Sequence, residues 1–221
     1  MLEAIDLSCE RGDRTLFSAL NFTLEAGMLL RIDGDNGAGK TTLLRVLCGL
    51  LQPNAGDVRW AGQSITGALD ECGKHIAYLG HTNGIKEELS AVENIRGMLA
   101  IQTNAPSTLI GSVVATQNVM RETLATLAAV GLADFEHVPV RTLSRGQQRR
   151  VGLARLFMRV TAPVWVLDEP FAALDAAGVD IVCRRLESEL ASGRAIVMTT
   201  HQEVPLHAPR SARIALVASP A

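Results

Sequence analysis

The stretch GDNGAGKTT, residues 34–42, has the spacing G-x-x-x-x-G-K-[S/T]. Gly34, Gly37 and Gly39 allow the backbone to curl until successive N–H groups face inward, and a helix starting just after them would add its positive end. That makes a cradle for anionic oxygens, running through Asp35, Asn36 and Ala38. Lys40 would bring a full charge to the outer phosphates of a nucleotide, the Thr41 hydroxyl could ligate magnesium, and Thr42 completes the run. A glycine-rich turn that merely fits the spacing is the alternative. The strand-like MLLRID before the segment and the helix-like TTLLRVLCGL that follows supply the context the phosphate-binding reading requires.

A second feature is VWVLDEP at 164–170, an apolar strand ending in two acids. In a parallel sheet the ligand side is the carboxyl edge, so both charges would arrive there. Asp168 could hold magnesium through water, and Glu169, one step on, could act as general base or polarise an attacking water. Read otherwise, DEP is a helix cap followed by a turn. AIVMTTH at 195–201 brings His201 to the same edge, within reach of a terminal phosphate, although a histidine alone is more often an ordinary surface residue. His81, in GHTNGIK after the apolar HIAYL, stands where a strand hands over to a loop. It could be a metal ligand, a proton shuttle or only loop filling.

These groups must be carried by a particular set of elements. MLLRID, HIAYL, PVWVLD, AIVMTT and RIALV alternate with helical periods, the rhythm of a mostly parallel α/β sheet covered by helices, as in P-loop NTPases. LEAIDLSC, NFTL and GDVRW predict a small antiparallel sheet. From Lys86 to about Met158 the chain reads as helical, with a Ser90–Glu93 capping pair and the helix former RETLATLAAVGL ended by glycine. A further helix follows Asp175 and stops at Ser192-Gly193. The expectation is one domain over 1–221, its core and β subdomain at about 1–80 and 160–221, its helical subdomain at about 83–158, and its most flexible point at 102–112.

With 221 residues, nearly half of them apolar, and a formal net charge of −2, the chain can bury a proper core. No run is long enough to span a bilayer, and the acidic N-terminus does not read as a secretory signal, so a chain that is neither spanning nor exported is expected. Four scattered cysteines, Cys9, Cys48, Cys72 and Cys183, read as reduced thiols. A balanced charge argues against a large nucleic-acid footprint, which leaves the cluster Arg145, Arg149, Arg150 and Arg155 to be explained.

LSRGQQRR at 143–150 separates the classes of P-loop protein. Ser144 reads as a helix N-cap, a second anion-seeking helix end in the same chain. With GDNGAGKTT, LSRGQQ, VWVLDEP, AALD (172–175) and TTH in this order, the chain resembles ATP-binding cassette proteins over essentially its whole length. The resemblance implies ATP and Mg2+ as ligands and a homodimer formed on ATP binding. In it Ser144, Arg145, Gly146 and Gln147 would close on the partner's nucleotide, Asp175 would couple the two sites, and His201 would contact the γ-phosphate. Arg145 replaces the family's usual second glycine, so its side chain is expected to face solvent or the partner, and the neighbouring arginines to lie on a solvated, partner-facing helix.

His81 stands where the family usually has a glutamine. An imidazole can donate or accept one hydrogen bond but cannot offer magnesium an oxygen, so His81 is expected to sense nucleotide through water or through Asn83. Arg11 takes the place of the family's adenine-stacking aromatic. Its guanidinium plane could stack on a base for ~0.5–1 kcal/mol, with weak base selectivity. Within the family, the segments at 9–27, 78–95 and 143–156 look like ATP-binding subunits of the cytochrome c maturation, or haem-export, system. That implies separate integral-membrane permease subunits, a peripheral position on the cytoplasmic face of the bacterial inner membrane, and no nucleic-acid partner. Another exporter's ATPase shares every catalytic residue. Non-transport cassettes acting on DNA or ribosomes generally carry long coiled-coil insertions or two cassettes, and P-loop kinases have no use for LSRGQQ.

Overall fold

Three neighbouring strands form the centre of the parallel sheet in the chain's first compact unit: β3 (Met28–Gly34), β7 (Val164–Asp168) and β8 (Ala195–Thr199). Every residue of β7 and β8 is buried, as expected of parallel strands covered on both faces, whose sequences run apolar without alternation. With β6 (Ile76–Leu79) and β9 (Arg210–Leu216) they form a five-stranded parallel sheet in the order β6-β7-β8-β3-β9. Ile32 pairs with Thr199 and Thr199 with Asp168, so β7 and β8 end level with each other while β3 runs on to Gly34 at the same edge. The computed structural model describes residues 1–102, 113–158 and 161–217. The expected flexible point falls mostly at 103–112, outside the described residues.

The antiparallel sheet has the order β2-β1-β4-β5, from β1 (Leu2–Arg11), β2 (Arg14–Leu24), β4 (Ala55–Trp60) and β5 (Gln63–Ser64). Strand β2 begins seven residues before the expected NFTL because register shifts interrupt its pairing with β1 and break the alternation that marks a strand in sequence. Asn21 holds one of these irregular points, accepting the Asp6 N–H at 2.9 Å and donating to the Asp6 carboxylate at 2.7 Å. Residues of both sheets, of α1 (Lys40–Leu47) and of α2 (Leu69–His75) share one core around Leu7, Leu30, Ile32, Leu43, Leu44 and Val166. Helix α2 was not anticipated: His75, read as the start of a strand, is its last residue and stacks on Trp60 with ring centroids 4.7 Å apart.

The chain divides into two compact units. The first comprises Met1–His81, Thr161–Pro170 and Leu186–Ala221 and holds both sheets; the second comprises Thr82–Val160 and Phe171–Arg185. In the second, α3 (Ala91–Gln102), α4 (Val113–Ala129) and α5 (Arg145–Leu153) surround Ile95, Leu127, Val140 and Val151. The Ser90–Glu93 pair caps α3, the glutamate accepting from the Ser90 N–H at 2.8 Å and from its hydroxyl at 2.7 Å. Helix α4 begins well before the expected 121, and after Leu153 the chain tightens into a 3-10 turn, Ala154–Phe157. Phe171–Arg185, beyond the 83–158 span expected for the helices, includes the start of α6 (Ala176–Ala191). Arg185 donates to the Leu156 carbonyl at 2.8 Å and lies over the Phe157 ring.

All four cysteines are free thiols and buried, and burial pushes the Cys9, Cys48 and Cys72 thiols above their ordinary range. Among the described residues no helix is long and apolar enough to cross a membrane.

Candidate functional site

In the first unit the loop between β3 and α1 closes over a cavity of about 530 Å³ at the carboxyl edge of the parallel sheet. Its walls bring together Arg11, Asp35, Asn36, Gly37, Gly39, Lys40, Thr41, Thr42, His81, Asp168, Glu169 and His201, from segments up to 190 residues apart. Gly39 is the N-cap of α1 at φ 98° with no side-chain cap, so the first-turn N–H groups of the helix are left to an external acceptor. A Cβ on Gly34, at φ 145°, would stand 2.5 Å from the Leu216 carbonyl, so the loop's path requires glycine there. Ala38, within the loop, is buried, and Lys40 Nζ donates to the carbonyls of Gly34 at 2.5 Å and Asp35 at 3.0 Å.

The carboxylates are placed differently from each other. Asp168 is 2 % exposed; its Oδ2 accepts from the Thr41 hydroxyl at 2.9 Å and its Oδ1 from the Thr199 hydroxyl at 2.9 Å. A hydroxyl beside one carboxylate is a hard-oxygen pair, which fits magnesium, an ion that takes few protein ligands and completes its shell with water and phosphate. Among the described residues there is no cluster of three or more His, Cys, Asp or Glu that would suit a metal held by protein alone.

Glu169 adopts φ 50°, a left-handed conformation that residues with a Cβ seldom hold. Its Oε2 accepts the His201 N–H at 3.3 Å and its Oε1 lies 3.5 Å from His201 Nε2. The glutamate and the histidine thus face each other, the acid 15 % and the imidazole 52 % exposed at their side chains. His81 is exposed and lines the same cavity.

Arg14 and Thr199 are among the residues of this region that were not singled out in the sequence. Arg14 lines the cavity, its Nη1 about 4.0 Å from where a Cβ on Gly37 would stand; Thr199 binds both strand-end acids. Arg14 lies in the hairpin whose broken alternation hid it, and a threonine ending an apolar strand reads as ordinary β propensity.

In the second unit Ser144 caps α5. Its hydroxyl accepts the Gln147 N–H at 3.2 Å while Gln147 Oε1 accepts the Ser144 N–H at 2.9 Å, the S-x-x-Q reciprocal box. That spacing was legible in the sequence, although the Gln147 half of the box was not anticipated. Arg145 is exposed, and a Cβ on Gly146 would sit 3.2 Å from the Ala173 carbonyl.

The other arginines do not form a solvated face. Arg149 is 3 % exposed and donates to Asn83 Oδ1 at 2.9 Å; Arg155 is partly buried and donates to the Asn83 carbonyl at 2.9 Å. Burial with no compensating charge lowers the Arg155 pKa. Arg150 donates to the Gly131 carbonyl at 3.3 Å and reaches Asp175 Oδ2 at 3.9 Å. The expectation failed because these cations tie segments of their own unit together, with long stems packed inside it. Asp175 Oδ1 accepts the Gly178 N–H at 2.9 Å, capping α6.

A family model described as ABC transporter matches residues 17–172. The chain is similar to the cytochrome c biogenesis ATP-binding export protein CcmA of Escherichia coli K12, 44% identical over 216 residues, 98% of this chain and 96% of the relative. The same identity and coverage hold for its counterpart in Shigella flexneri. Among solved structures, a dimeric structure of MJ0796, a bacterial ABC transporter cassette, aligns at a TM-score of 0.80 with 22% identity, over 100% of this chain and 97% of that one. A putative ABC transporter ATP-binding protein from Pyrococcus furiosus aligns at 0.74 with 24% identity, over 96% of both chains.

Proposed function

Because the chain belongs to the ATP-binding cassette family of transporter ATPases, we propose that it hydrolyses ATP at the β3–α1 cavity as the energy-supplying subunit of a haem-export, cytochrome c maturation system. The observation that carries the reading is the convergence of Lys40, Thr41, Asp168, Glu169 and His201 on one cavity at one sheet edge. A mobile substrate with charged phosphates fits a cavity lined by the uncapped start of α1 together with Lys40, Arg11 and two histidines.

In this reading the α1 amides and Lys40 bind the phosphates and hold the triphosphate in line with Glu169. Thr41 and, through water, Asp168 would hold magnesium, whose charge would offset that gathering on the phosphate oxygens. Glu169 accepts a proton from the attacking water, and His201, already against that carboxylate, steadies the terminal phosphate. Arg11 stacks on the base. His81 senses nucleotide, so His81→Gln should change the ATPase rate or its pH profile; identical curves for the two proteins would remove that role.

The cavity is built by one unit of one chain, while Ser144, Gly146 and Gln147 belong to the other unit. We place them across a homodimer seam formed on ATP binding, Arg145 on the partner-facing side and Asp175 between the two sites, with separate integral-membrane subunits as partners. That arrangement keeps the protein peripheral, on the cytoplasmic face of the bacterial inner membrane.

The test has two arms. Specific ATPase activity should rise with protein concentration, and the tagged chain should bring down integral-membrane permease subunits from detergent-solubilised membranes. Full-speed turnover at high dilution with no dependence on concentration or added subunits would overturn the dimer. Recovery of ribosomes or nucleic acid in place of membrane subunits would overturn the transport role.

A further inference from the structure

The acid proposed to activate water sits in a conformation its own sequence does not favour, so something must hold it there. Glu169 is at φ 50°, directly after β7, and no glycine relieves the turn. The Glu169 N–H is donated to Thr199 Oγ1 at 3.0 Å. The same hydroxyl donates to Asp168 Oδ1 at 2.9 Å, and the other oxygen of Asp168 accepts from Thr41 at 2.9 Å. Thr199 is fully buried, and strand register sets it beside Asp168. One hydroxyl therefore uses both its donor and an acceptor site on consecutive residues of the neighbouring strand's end. A continuous chain results, Glu169 N–H to Thr199 to Asp168 to Thr41, and in a dry interior such chains are stronger than their separate bonds.

We propose that Thr199 is a positioning residue for hydrolysis. It fixes the left-handed turn that aims the Glu169 carboxylate, and it links that turn through Asp168 to the Thr41 hydroxyl, the group assigned to magnesium. The inference rests on the reading of Glu169 as the group that activates water. It assigns Thr199 no contact with nucleotide, so its loss acts on turnover and not on binding. Valine keeps the β-branched shape and strand preference of threonine but removes both hydrogen bonds; serine keeps the hydroxyl.

The experiment compares the wild-type chain with Thr199→Val, Thr199→Ser and Glu169→Gln in steady-state ATPase assays and ATP titrations. Thr199→Val should lower kcat roughly 10- to 100-fold, the scale of a displaced catalytic group, with KM and ATP affinity unchanged. Thr199→Ser should recover most of the loss, and adding Thr199→Val to Glu169→Gln should cost little more, since both act through one carboxylate. A Thr199→Val protein with wild-type kcat overturns the proposal, as does a loss that serine does not recover. If the valine variant does not fold, Thr199→Cys, whose thiol bonds only weakly, takes its place, and wild-type kcat there is equally fatal. Wild-type hydrolysis by Glu169→Gln would instead overturn the reading on which the inference rests.

Discussion

Glu169→Gln should bind ATP as tightly as the parent chain and turn it over on the order of 10² to 10⁴ times more slowly, a proton-acceptor's worth of rate. The amide has nearly the shape of the carboxylate and can still accept the His201 N–H that now meets Oε2 at 3.3 Å. What it cannot do is take a proton from water. The deficit corresponds to about 3–5 kcal/mol of transition-state stabilisation and should appear in kcat alone. Single-turnover hydrolysis beside a calorimetric ATP titration separates the two quantities. A variant hydrolysing within a few-fold of the parent would mean that another group activates the water.

Lys40→Ala should fail one step earlier, at binding. Charge-assisted hydrogen bonds contribute about 1.5–3 kcal/mol each, so losing contacts to two phosphates should weaken ATP binding on the order of 10²- to 10⁴-fold. There is a second contribution in this chain: Lys40 Nζ donates to the carbonyls of Gly34 and Asp35, bracing the loop whose amides form the cradle. Lys40→Arg keeps the charge but not the compact ammonium that fits between those carbonyls, and should recover only part of the affinity. Calorimetry with ATP decides the matter; unchanged affinity in Lys40→Ala would place the phosphates somewhere other than the β3–α1 loop.

How far the sequence could be read depended on whether each signal was local. Strands β7 and β8 were legible because strands buried on both faces must be apolar throughout, and the acids and histidine at their ends follow at fixed offsets. The caps at Ser90 and Ser144 were legible for the same reason, each being a four-residue arrangement. Strand β2 was only partly legible, since its bulged pairing with β1 depends on a strand fifteen residues away through Asn21 and Asp6. Helix α2 buries only Cys72 and so carries no apolar period to detect.

The arginines around the Ser144 cap show the limit most clearly. In one dimension Arg149 and Arg155 look like a charged, wetted face, yet both reach Asn83, 66 and 72 residues earlier. Thr199 was invisible for a related reason. Its chemistry comes from the strand beside it, and only the register Asp168–Thr199 brings the two together.

The left-handed backbone at Glu169 also bears on how this protein could change over generations. Asparagine or glycine would sit there with less conformational cost than glutamate does. Under the proposed role of Glu169, lineages screened for robustness alone would be drawn toward those replacements and would end with a sturdier molecule whose engine no longer fires. Keeping an acid at that corner is therefore a standing trade of durability for work.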